Sequence, residues 1–168
     1  MVNAVVDGMR KAAAVFLRGA LIALLAMPAL AADEIKGEAN VISGNEILVG
    51  KRTVRLFGIS APELKETCEI NDAQVKCGII AWAELIQLAD GQVVSCDKEE
   101  LPTGVTAPDK SVEYATCYVS EADLNEAMVR SGWASAATDQ TDRYEVDEAD
   151  AKESRRGLWA TGSKRRRR

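Results

Sequence analysis

The chain contains no histidine, and that single absence removes a large part of enzyme chemistry. Without an imidazole there is no Ser-His-Asp triad and no Cys-His nucleophile pair. No glycine-rich run matches either common phosphate-cradling pattern. The four cysteines, Cys68, Cys77, Cys96 and Cys117, include no Cys-x-x-Cys pair; with no histidine to complete a ligand set, a zinc site is not expected. The acidic stretch from Asp139 to Glu153 lacks the ligand spacing of a calcium loop and reads as solvated helix faces. There is no internal repeat. The apolar run that begins at Ala20 and ends near Ala32 is too short to span a bilayer.

That run does have the make-up of an export signal, expected over residues 1–32. Arg10, Lys11 and Arg18 supply the positive region, and Ala29-Leu30-Ala31 places small residues where a signal peptidase reads. Met9 opens a more ordinary signal of this kind than Met1 does. A secreted or periplasmic location follows, and the cysteines agree with it. All four lie after the signal, and an even count in an exported chain suggests two disulfides. Of three possible pairings, Cys68–Cys77 with Cys96–Cys117 is favoured: the first closes a short polar loop, the second joins two strand-like segments. A short-loop bridge of this kind contributes about 2–3 kcal/mol in the chain-entropy picture.

The formal net charge of −5 conceals an asymmetry. Between Asp33 and Gly162 there are 25 acidic and 13 basic residues, a net −12, whereas Lys164–Arg168 carries +5. Nucleic-acid affinity rests on cations against phosphates, so nucleic acid is disfavoured as a partner of so acidic a body. Residues 33–162 are expected to form one monomeric domain. Residues 163–168 are expected to be a disordered basic tail able to contact an anionic membrane, polysaccharide or nucleic acid.

Within the domain, Ile35–Ile42, Glu46–Val49 and Thr53–Ile59 read as three strands, and Pro62 ends the third. Gly78–Ala89 carries Ile79, Ile80, Ala83 and Ile86 at helical spacing, with Trp82 and Leu85 widening the face. Gln92–Cys96 and Glu113–Val119 are further strands. Asp123–Arg130 is a short helix capped by Asp123 and stopped by Gly132, and Tyr144–Arg156 is a last helix closed by Gly157-Leu158-Trp159. The three tryptophans fall at apolar positions and read as core rather than as stacking platforms.

Three segments, in order, resemble the staphylococcal nuclease (thermonuclease) family, especially its exported bacterial members with extra cysteines. The first pairs Ser43-Gly44-Asn45-Glu46 with Arg55-Leu56-Phe57-Gly58-Ile59-Ser60-Ala61-Pro62-Glu63. The family pattern there is Asp-Gly-Asp-Thr, then Arg-Leu-x-Gly-Ile-Asp-Ala-Pro-Glu. The second is Asp123–Ala134 and the third Glu148–Trp159. The resemblance spans roughly Glu34 to Ala160. It implies an α+β, mainly β fold: a five-stranded OB-fold barrel with three helices.

The resemblance also implies phosphodiester hydrolysis with one Ca2+, a glutamate general base and two arginines on the phosphate. Carried over residue by residue, that machinery is largely missing. Ser43, Asn45 and Ser60 stand where the family has carboxylates, and calcium draws most of its binding energy from carboxylate oxygens. No resident cofactor is therefore expected; any metal would fall to Asn45, Glu46 and Ser60. Glu46 follows Asn45 on a strand, and adjacent strand positions face opposite ways, so its side chain is expected to point elsewhere. Arg55 matches the first arginine and has two readings, a phosphate clamp or a partner in a local salt bridge. The second arginine falls at Val112, and no arginine occurs between Arg55 and Arg130. Lys110 is the nearest cation and lacks the planar fork. Glu63 keeps the general-base position, but a base there needs a metal-polarised water. A pseudo-nuclease with a binding role is the expectation. The rivals are a weakly active calcium-dependent nuclease using Glu46, Asn45 and Lys110, and an envelope-interaction protein tethered by its tail.

Overall fold

The computed structural model describes residues 34–160 and the backbone of residues 164–166. The export signal proposed for residues 1–32 lies outside them. The strands are β1 (Ile35–Ser43), β2 (Glu46–Val49), β3 (Arg52–Leu56), β4 (Ile59–Ser60), β5 (Thr67–Ile70), β6 (Ala73–Val75), β7 (Val93–Lys98), β8 (Glu113–Val119), β9 (Ala122–Asp123), β10 (Ser135–Ala136) and β11 (Lys164–Arg166). The helices are α1 (Cys77–Ala89), α2 (Leu124–Arg130) and α3 (Glu145–Glu153), with a 3-10 turn at Gly157–Trp159. Five strands close a barrel. The order β3-β2-β1-β7-β8 is antiparallel throughout and is sealed by parallel pairing of β3 with β8.

Alternation builds this barrel in the simplest way: Ile35 and Ala39 of β1, Ile47 and Val49 of β2, and Val54 and Leu56 of β3 point inward and are buried. Cys96 and Cys117 sit directly opposite each other on β7 and β8 and are bridged. The second bridge joins Cys68 to Cys77. Both pairings are those favoured from the sequence. The segment between Cys68 and Cys77, read as a polar loop, is a hairpin of β5 and β6. Its turn is made by Asn71 and Asp72 in the left-handed region, which Asn and Asp tolerate better than most residues.

Helix α1 departs from expectation in its orientation. The buried stripe is Ala81, Leu85 and Ala89, flanked by Cys77 and Gly78, while Ile79 is 39 % exposed. Gly78 and Ala81 let the start of the helix sit close against the β1–β2 turn and the Glu63 carbonyl, with Leu85 and Ala89 continuing the buried stripe, and that seating outweighs burial of the isoleucines. Asp123 caps α2 as expected, its Oδ1 accepting from the Asn125 and Glu126 backbone N–H groups. The last helix is shorter than the pattern suggested and ends at Glu153. In the segment expected to be a disordered tail, Lys164–Arg166 instead pairs antiparallel with Thr67–Glu69.

The seam between β3 and β8 is held by polar groups. Arg52 grips Glu113 through two hydrogen bonds of 2.7 Å, Nε to Oε1 and Nη2 to Oε2. Beneath them Asn125, fully buried, donates from Nδ2 to the Phe57 and Ala115 carbonyls at 2.8 and 3.2 Å and accepts from the Cys117 N–H at 3.1 Å. An unsatisfied buried polar group costs about 1–3 kcal/mol. Replacement Asn125→Ala removes the partner of the Phe57 carbonyl and the Cys117 N–H, while the Ala115 carbonyl keeps the Phe57 N–H, so it should lower unfolding free energy by roughly 2–3 kcal/mol or more in a urea titration.

Tyr144 is buried beside this seam, its hydroxyl donating to Asp123 Oδ2 at 3.2 Å. Burial pushes its pKa up to about 12. The folded state therefore favours the protonated phenol. That stability is complete below the unfolded tyrosine value of about 10 and is lost as pH rises through the folded value. Melting temperature followed by tryptophan fluorescence should fall between about pH 10 and pH 12, and Tyr144→Phe should flatten the fall.

Candidate functional site

The residues singled out at the start of the domain do converge. Ser43, Asn45, Glu46, Arg55, Ser60 and Glu63 line one open cavity of ≈ 540 Å³, closed on its other side by Ala61, Pro62, Leu64 and Lys65. They come from the β1–β2 turn, from β3, and from the segment that runs from β4 to β5. Two glycines make this assembly possible. A Cβ on Gly44 would lie 2.8 Å from that of Ala81 and 2.9 Å from that of Ala61, so the turn, α1 and the loop meet only because Gly44 has no side chain. A Cβ on Gly78 would lie 1.8 Å from the Glu63 carbonyl oxygen. The start of α1 thus fixes where Glu63 leaves the barrel. Residues 63–66 are tied as a turn: the Glu66 N–H donates to the Glu63 carbonyl at 2.7 Å, and the buried Glu66 carboxylate accepts from the Glu63 N–H at 3.2 Å.

Glu46 overturns one expectation. Its side chain faces the cavity together with that of Asn45, because Asn45 sits in the turn rather than on the strand and strand alternation does not apply across that boundary. A register shift between Val41 and Ser43 further bends the chain there. Glu46 Oε2 accepts from both Nε, at 3.1 Å, and Nη2 of Arg55, its cross-strand neighbour. Burial works to lower the Arg55 pKa, but the hydrogen bond and charge of Glu46, with a smaller share from Tyr114, outweigh it and raise the guanidinium above its ordinary value. Of the two readings of Arg55, the local ion pair is the one formed.

The place of the second arginine is empty of cations. Val112 does not line the cavity, and its N–H donates to the Asp109 carbonyl at 3.4 Å. Lys110 is exposed and does not line it either. The charged group of this loop that does feel Arg55 is Asp109, an acid. Its pKa is lowered chiefly by hydrogen bonds from the Ser111 backbone and hydroxyl, with a small attraction from Arg55. The second cation of the cavity is Lys65, which sequence reading passed over. Its position two residues after Glu63 was the available signal. The four charged lining residues, Glu46, Glu63, Arg55 and Lys65, balance to zero.

Ser43 donates its hydroxyl to Asn45 Oδ1 at 3.3 Å, and the Ser60 carbonyl accepts from Ser135 Oγ at 3.2 Å. The Ser43 and Asn45 side-chain oxygens are thus engaged with each other, and Ser60 is tied to β10 through its carbonyl. Calcium asks for six to eight oxygens with several carboxylates among them, and this donor set does not fit it: Glu46 is committed to Arg55, and among the described residues no three acidic side chains form a metal-sized group. The arrangement can hold a small zwitterionic or anionic group between Arg55 and Lys65, at the expense of the Glu46 pair. Glu46→Gln should free Arg55 and tighten inorganic phosphate binding about tenfold, equivalent to about 1.4 kcal/mol, by calorimetric titration. Arg55→Ala in the same background should abolish the gain.

A family model described as "Staphylococcal nuclease homologue" matches residues 53–161, which include Arg55, Ser60, Glu63 and Val112 and begin within β3, so that Ser43, Asn45 and Glu46 precede the match. No curated protein matches the chain by sequence.

Proposed function

The chain belongs to the staphylococcal nuclease family, and from that premise we propose that it is an exported domain that has lost calcium-dependent phosphodiester hydrolysis and keeps its cavity for binding. The observation that carries this reading is the Glu46–Arg55 pair: a carboxylate of the chain itself occupies the guanidinium fork that a phosphate would need. The neutral side chains Ser43, Asn45 and Ser60 support it, as does the absence of a cation at Val112. Metal and electrostatic contributions each supply several kcal/mol of such a rate enhancement, so losing both leaves Glu63 without a polarised water to deprotonate. Export is supported by the two disulfides, a feature typical of extracellular and periplasmic proteins. Among the described residues no helix is long and apolar enough to cross a membrane.

One observation favours a second reading, a weak nuclease with a displaced metal. Glu46 and Glu63 line the same cavity, so two carboxylates are within one site. A single assay separates the two. Purified protein is incubated with single-stranded DNA in calcium, then in chelator, beside the Glu63→Gln variant. No cleavage above the buffer control is expected in any arm. Calcium-dependent cleavage that disappears in Glu63→Gln would establish the second reading and sink the first.

A further inference from the structure

Beside the cavity, and sharing Leu64 and Lys65 with it, runs a second open groove of ≈ 460 Å³ lined also by Thr67, Lys76 and Ile79. Its composition is unlike the rest of the domain. Both charged lining residues are cations, on a body that carries a net −12 between Asp33 and Gly162. Neither Lys65 nor Lys76 has an ion-pair partner among the described residues. Leu64 and Ile79 are 40 % and 39 % exposed, two of the few large apolar side chains so placed. The seating of α1 on its alanine stripe is what turns Ile79 outward. Thr67, at the groove's edge, opens β5, and the backbone of Lys164–Arg166 pairs with that strand, Arg166 opposite Thr67. The register therefore brings three further cationic positions alongside the same strand.

Aliphatic side chains set between unpaired cations suit an interface in which one phase is apolar and its boundary is anionic. We infer that this face docks on an anionic lipid bilayer, with Leu64 and Ile79 entering the acyl boundary and Lys65 and Lys76 meeting headgroup phosphates, the positive charge of the adjoining Lys164–Arg166 strand adding long-range attraction. A single-stranded nucleic acid fits the groove poorly. No aromatic residue lines it to stack a base, and its two aliphatic residues would be left in water. Because Leu64 and Lys65 border both concavities, docking sets the mouth of the cavity at headgroup level.

The inference does not depend on whether the cavity hydrolyses DNA, since vesicle binding and cleavage are separate readouts. Sedimentation with vesicles of phosphatidylcholine, with and without phosphatidylglycerol, tests it on the full chain. Variants are Lys65→Glu with Lys76→Glu, Leu64→Ser with Ile79→Ser, and removal of Lys164–Arg168. All share one N-terminus, so any contribution from residues 1–32 cancels between them. Phosphatidylglycerol should strengthen binding of the parent chain at least about fivefold, and added salt should reverse it. The lysine pair and the tail deletion should each lose that gain; the apolar pair should weaken binding with the salt dependence intact. Near-ultraviolet circular dichroism checks that each variant is folded. Equal binding to the two vesicle types overturns the inference, as does unchanged binding by both the lysine pair and the apolar pair. Tighter binding of single-stranded DNA or polyglutamate than of vesicles, lost in the lysine pair, assigns the face to that polyanion and also overturns it.

Discussion

The arrangement depends on how the barrel closes. Parallel pairing of β3 with β8 brings together strands far apart in sequence, and the chain must leave that seam at Phe57 in one direction only. Asn125 fixes the exit. Its amide donates to the carbonyls of Phe57 and Ala115 and accepts from Cys117, so a single buried side chain joins the end of β3, the middle of β8 and the start of α2. Low dielectric makes such a group costly unless all its bonds are formed. Ser60 lies three residues beyond Phe57 and Glu63 six. Where the seam goes, the site goes.

Above the seam, close packing of small groups completes the cavity. Gly44 against Ala81 and Ala61, and Gly78 against the Glu63 carbonyl, admit no added carbon. The Cys68–Cys77 bridge then anchors the β5–β6 hairpin to the first residue of α1, so the loop that carries Glu63 and Lys65 is bounded on both sides by fixed points. This is a rigid frame around a charge-balanced interior. Such a frame holds Glu63 and Lys65 in fixed positions at the cavity.

Much of this was legible in the residues. Alternation gave β1, β2 and their inward-facing sets, because a half-buried strand imposes its period of two on the sequence. The cysteine pairing followed from loop length and strand order. The identities at Ser43, Asn45, Ser60 and Val112 could be read position by position against the family pattern. What could not be read was orientation. The turn at Gly44-Asn45 breaks strand parity, so Glu46 faces inward against the simple rule. The face of α1 was misjudged because residue size suggested isoleucine, whereas close approach required alanine. Lys65 stands two residues after Glu63, but only the tertiary path of residues 61–66 brings it to the cavity.

The charge balance of the cavity also bears on mutational history. Glu46 and Glu63 are offset by Arg55 and Lys65, and a carboxylate placed alone at position 43, 45 or 60 would leave the cavity with a net negative charge. Each first step back toward a metal-binding cluster would add like-charge repulsion before it gained a ligand. The route is therefore closed to single substitutions taken one at a time, since their value depends on one another.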